Sequence, residues 1–113
     1  MITLTNVGAT YDAINAARGL GMQRIDFRGA TQVTFDISVN KIGTGTQSWQ
    51  LWNETDGAEI GVINDAGPAG NKFLNAVFNV AISGVKLCRV RAKSTVAGDD
   101  PVFYGCSVLL NVP

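Results

Sequence analysis

Histidine is absent from this 113-residue chain. That removes Ser-His-Asp and Cys-His nucleophile systems, and histidine-ligated zinc, because each needs an imidazole as base or ligand. Charge is scarce as well. Nine Lys and Arg balance nine Asp and Glu, and charged residues are 16% of the chain, below the usual quarter or so. A neutral chain has no basic footprint for a phosphate backbone, so nucleic acid is not expected as a partner. No apolar run approaches the roughly 18 residues of a membrane span, so no membrane partner is expected either. Met1 to Asn6 has neither the basic nor the apolar segment of a secretory signal, and the expected setting is a cytoplasm or a particle assembled there. The only cysteines are Cys88 and Cys106. Without an export signal, buried free thiols are the favoured reading, and a cross-strand disulfide is the alternative.

What is present is strand. In Gln32–Asn40, Val33, Phe35, Ile37 and Val39 fall on one side and Gln32, Thr34, Asp36, Ser38 and Asn40 on the other. Successive side chains of a strand point to opposite faces, so this stretch has one buried and one wet face. Its β-branched and aromatic residues suit a pleated, half-buried surface. Further strands are expected at Ile2–Thr5, Met22–Arg28, Gln47–Asn53, Glu59–Asn64 (Ile60 and Val62 inward), Phe73–Ile82, Val85–Lys93 and Val102–Val112. Asp56-Gly57 marks a hairpin between two of them. In Val85–Lys93 the inward set is either Cys88, Val90 and Ala92 or Val85 and Leu87. Thr10 to Leu20 has a helical option, with Tyr11, Ile14 and Ala17 at helical spacing, and an ordered arm is the equal alternative. About eight strands without βαβ alternation predict an all-β, antiparallel β-sandwich of jelly-roll type. The expected organisation is an arm over residues 1–20 and one sandwich domain over 21–113.

Little chemistry is written in the remaining polar residues. Asp99-Asp100 before Pro101 reads as a turn or cap. Neither this pair nor Asn53-Glu54-Thr55-Asp56-Gly57 has calcium-loop spacing, so no metal is assigned. Gly43-Thr44-Gly45 does not open a helix after a strand, which makes a phosphate cradle a poor reading. With no catalytic constellation and no cofactor motif, an enzyme is not expected. Arg89 and Arg91 share a strand face and are candidates to pair with Asp26 or Asp36. Trp49 is in phase with Leu51 and reads as core. Trp52 points the other way, towards second-face packing or a contact with another chain, with a stacked sugar as the lesser alternative.

Two segments carry a resemblance. Asn40-Lys41-Ile42-Gly43-Thr44-Gly45-Thr46-Gln47-Ser48-Trp49 with Leu51-Trp52-Asn53 resembles a strand–loop–strand of small β-sandwich proteins in tailed-phage virions. Arg91 to Phe103 resembles the closing loop and strand of the same group. The resemblance implies a non-enzymatic virion protein, foremost a head decoration (cement) protein. Its partners would be the major capsid protein or other virion subunits, and it would form a homo-oligomer, such as a trimer. Sparse charge agrees with surface buried in an assembly. The interface candidates are Tyr11 and Ile14 in the arm, Trp52, Thr44 in its loop, and Asp99 and Asp100. The alternative is a carbohydrate- or receptor-binding module of a fibre or tail.

Overall fold

Alternation of side chains decides the architecture. The computed structural model describes residues 2–4, 7–8, 11 and 20–112. Its strands are β1 (Ile2–Thr3), β2 (Gln23–Asp26), β3 (Gln32–Lys41), β4 (Gln47–Asn53), β5 (Ala58–Asp65), β6 (Gly70–Asn79), β7 (Val85–Ser94) and β8 (Val102–Asn111). They form two four-stranded antiparallel sheets, ordered β1-β8-β3-β6 and β2-β7-β4-β5. The nested pairs β1·β8, β2·β7, β3·β6 and β4·β5 are one long hairpin rolled up on itself, which is jelly-roll connectivity. The all-β sandwich expected from the sequence is therefore the fold observed. No helix occurs among the described residues. Ile14 and most of the stretch with the helical option lie outside those residues.

The core lies between the sheets. Val33, Phe35, Ile37 and Val39 of β3 are fully buried against Trp49 and Leu51 of β4 and Cys88, Val90 and Ala92 of β7. Full burial of one such side chain contributes roughly 1.5–3 kcal/mol before entropy is counted. Leu4, Val7 and Leu20 join the same core, so the described parts of the first twenty residues pack as part of the sandwich. Hydrogen bonds fix them: Leu4 N donates to Pro101 O, Gly98 N to Val7 O, Ser94 N to Gly8 O and Val90 N to Leu20 O. The cysteines are free. Cys88 lies in one sheet and Cys106 in the other.

Two bulges re-aim side chains. One falls between Leu51 and Trp52, where Leu51 pairs with Gly61 and Trp52 with Glu59. The extra residue, Ile60, shifts the phase of β5. Gly61 and Ile63 then oppose the inward residues Leu51 and Trp49, while Val62 opposes the outward Gln50. The inward position expected for Val62 is thus corrected by the bulge, a feature that a period-two pattern does not contain. The second bulge, between Ser38 and Val39, lets Tyr104 of β8 stand unpaired between Phe103 and Gly105.

The β4–β5 turn follows the Asp-Gly signal, with Gly57 at φ 63°. Asn53 accepts from Asp56 N at 3.1 Å, and Asn53 donates to the Asp56 carboxylate at 2.8 Å. At the opposite end of the sandwich, buried Asp65 holds Lys72 at 3.0 Å and accepts from Gly67 N. Buried Lys41 donates to Gly67 O. Gln47 donates to Ile42 O and Asp99 O, at 2.7 and 3.0 Å.

The sheets approach closely at Gly61, where a methyl group would overlap the Phe78 ring from β6. Gly61→Ala is expected to cost about 1–3 kcal/mol through overpacking, read as a lowered denaturation midpoint with unchanged slope. Lys86 and, second, Asn53 bond the Asp56 carboxylate and hold its pKa below the usual value. A depressed carboxylate stabilises the fold above its ordinary pKa, and that contribution disappears as pH falls through the lowered value. Asp56→Asn should therefore melt below wild type at neutral pH, and the gap should close in acid.

Candidate functional site: the outer face of the β1-β8-β3-β6 sheet

The inward phase of β3, β6 and β8 supplies the core, and their outward phase makes a surface. Register places it in rows: Asn79·Gln32·Asn111, Val77·Thr34·Leu109, Asn75·Asp36·Ser107 and Phe73·Ser38·Gly105. Asn71 lies beyond, and the bulged Tyr104 donates its hydroxyl to the Asn71 side chain at 3.0 Å. Gln32 donates to Asn79 at 3.2 Å and accepts from Asn111 at 3.4 Å. Asn75 donates to Asp36. Asp36 is the one carboxylate of these rows, and they contain no Lys or Arg.

Apolar groups stand among these amides. Phe73 is 88% exposed, Leu109 61%, Val77 54% and Tyr104 41%. Beside Phe73 the small residues Ser38 and Gly105 leave a depression of about 210 Å³, lined also by Asp36, Ile37, Cys106 and Ser107. A Cβ added to Gly105 would meet nothing within 4 Å, so the glycine keeps this floor open. Such a face can bind: side-chain amides offer donor and acceptor together, and an exposed ring offers a flat apolar surface. Among the described residues no cluster of three or more metal-ligating side chains occurs.

The opposite sheet presents a different surface. Arg89 pairs with Glu54 at 3.1 Å, Asp26 with Arg28 at 3.2 Å, and Asp36 belongs to the other sheet. The pairing of Arg89 and Arg91 with Asp26 or Asp36 is therefore replaced by nearer partners. Arg91 lies 4.2 Å from the Trp52 ring centre and 5.2 Å from that of Tyr11, with Lys93 4.8 Å from Tyr11. These are cation–π distances, and Arg91 covers one face of the Trp52 ring. Burial, then Glu59, raises the Tyr11 phenol above its ordinary pKa.

The structure thus brings Tyr11 and Trp52 together around Arg91. Thr44, Asp99 and Asp100 lie in the loops at one end. Thr44 is exposed, Asp99 packs on Gly43, and Asp100 accepts from Val7 N at 2.8 Å. Phe73, Val77, Tyr104 and Leu109 were not among the residues singled out from the sequence. Period two in β6 places Phe73 and Val77 with Asn71, Asn75 and Asn79, and that was the available signal.

Neither a family model nor a curated protein matches this sequence. Among solved structures the chain is similar to the sugar-binding C-terminal domain of EclA, at TM-score 0.45 and 14% identity over 96% of this chain and 66% of that one. It is also similar to a family 35 carbohydrate-binding module from an environmental isolate, at TM-score 0.45 and 13% identity over 98% and 92%. A third is the CBM22-1 xylan-binding domain of Paenibacillus barcinonensis Xyn10C, at TM-score 0.42 and 10% identity over 99% and 96%. Likenesses of this degree say nothing about ligands, and the functional reading rests on the face itself.

Burial pushes the Cys88 thiol up to about 11, with Asp56 adding to the shift, and raises that of Cys106 as well. A thiolate is the reactive form. Native protein should therefore resist alkylation at neutral pH, although Cys106 lines the depression, and should react at both cysteines once denatured. Rapid labelling of the native chain at pH 7 would contradict the burial described.

Proposed function

We propose that this chain is a non-catalytic binding module whose outer β1-β8-β3-β6 face takes an uncharged saccharide. The observation that carries this is the row set around Phe73: an exposed ring beside an open floor, flanked by side-chain amides and hydroxyls, with no cation. Sugar hydroxyls need donors and acceptors at short spacing, and Asn71, Asn75, Gln32, Ser38 and Ser107 supply both. The C–H face of a pyranose suits the negative face of an aromatic ring. A depression of about 210 Å³ is smaller than the ~300–1,000 Å³ of ordinary ligand pockets. It suits one unit of a chain lying across the strands better than an enclosed small molecule. Asp36 disfavours anionic glycans by like-charge repulsion.

A role in a phage fibre or tail is compatible with such a face, since a receptor-binding module meets host-surface saccharides. The decoration role stands on the resemblance of residues 40–53 and 91–103, which supply mainly the scaffold. Nothing on the described face adds to it.

The test is affinity electrophoresis and calorimetry against a panel of neutral and acidic polysaccharides. Wild type should bind at least one neutral member. Phe73→Ala should weaken that binding by about tenfold, equal to 1.4 kcal/mol. Gly105→Val, which fills the floor, should do the same, and Trp52→Ala should leave it unchanged. Absence of binding across the neutral panel, or wild-type affinity in Phe73→Ala, would overturn the proposal.

A further inference from the structure

Three of the four sheet edges carry a feature that discourages pairing with another chain. β1 is two residues long. β2 is four residues long and exposes Arg24 and Asp26. β5 exposes Glu59 and is bent by the bulge at Ile60. Shortness, charge and bulges are recognised ways of blunting an edge. β6 has none of them. It runs ten residues, pairs with β3 without a bulge, contains no proline, and turns its one charged residue, Lys72, to Asp65. β6 ends the strand order, so its second row of backbone N–H and C=O groups meets no strand among the described residues.

The sequence of β6 also matches itself. We infer that β6 pairs with β6 of a second copy of this chain, antiparallel, about a twofold axis at Asn75. Facing residues of an antiparallel pair must point to the same side of the sheet. With the axis at Asn75, Phe73 lies opposite the partner's Val77, Asn71 opposite the partner's Asn79, and Asn75 opposite the partner's Asn75. On the inner side Leu74 lies opposite the partner's Ala76. Aromatic–β-branched pairs favour association across strands, and no two like charges meet. Moving the axis by one residue to Leu74 sets Phe73 against the partner's Asn75. Moving it to Ala76 sets Phe73 against the partner's Asn79. Of these three axes only the one at Asn75 sets Phe73 against Val77, and it does so twice while keeping nearly all of the ten-residue strand in the pair. The contact is the same patch on both copies, so it closes at two. The result is one eight-stranded sheet with both Phe73 faces on the same side. This inference does not depend on what the face binds.

Sedimentation over a concentration series tests it. Wild type should approach twice the 11.9 kDa chain mass as concentration rises. Asn75→Lys and Asn75→Asp should each stay at the single-chain mass, because like charges then meet on the axis. An equimolar mixture of the two should recover the double mass. Val77→Lys, which sets a charge against the partner's Phe73, should also stay single. Each variant is checked for a native melting transition, and the Val77 variant decides the matter if an Asn75 variant fails to fold. A wild type that stays single throughout, or a trimer or larger species, would overturn the inference. So would single variants that pair like wild type, or a mixture that stays single.

Discussion

Much of this molecule depends on the strict two-residue period of β3. This strand lies between β8 and β6, and every second side chain, from Val33 to Val39, is fully buried. A slip of one residue would exchange Val33, Phe35, Ile37 and Val39 for Thr34, Asp36, Ser38 and Asn40. Burying those polar groups without partners would cost several kcal/mol, so the register is set firmly. The same constraint that fixes the core therefore fixes which polar groups line the outer face. Core and candidate site are two sides of one alternation.

The strands were legible in the sequence because this alternation is local. Asp56-Gly57 marked its turn, Trp49 fell into phase with Leu51, and Cys88, Val90 and Ala92 were one of two inward sets considered for β7. What escaped were features decided between strands. The bulge at Ile60 flips Val62 outward, and only the mismatch between β4 and β5 reveals it. Arg91 finds the Trp52 and Tyr11 rings, a meeting that requires knowing how residue 11 returns to β7. Cys88 and Cys106 lie on consecutive strands in the chain, yet those strands belong to different sheets, because jelly-roll connectivity alternates sheets everywhere except at the β4–β5 hairpin.

The candidate site was the least legible part, for a physical reason. Aromatic residues in a strand read first as core, and tryptophan draws attention before phenylalanine. Trp52 has the right residue type and the right phase to be outward, but Arg91 covers its ring. Phe73 has a less conspicuous residue type, yet it stands free because its neighbours across the sheet are Ser38 and Gly105. Neighbours on other strands decide whether a ring is covered, and they are not visible in the strand that carries it.

Fold does not separate the two roles weighed for this chain, since jelly rolls occur in viral shells and in lectins alike. Surface chemistry is what the proposed binding role rests on. A permanent contact within a shell is expected to be large and apolar at its centre, whereas the face around Phe73 alternates rows that carry apolar groups with rows that are wholly polar. That composition remains well solvated when unoccupied and can exchange water for sugar hydroxyls without leaving a buried group unpaired. An apolar join at Phe73 and Val77 lies along the β6 edge and leaves the rows of β3 and β8, with Ser38, Gly105 and Ser107, open. It would place two such faces side by side, where a long saccharide engaging both binds more tightly than either face alone.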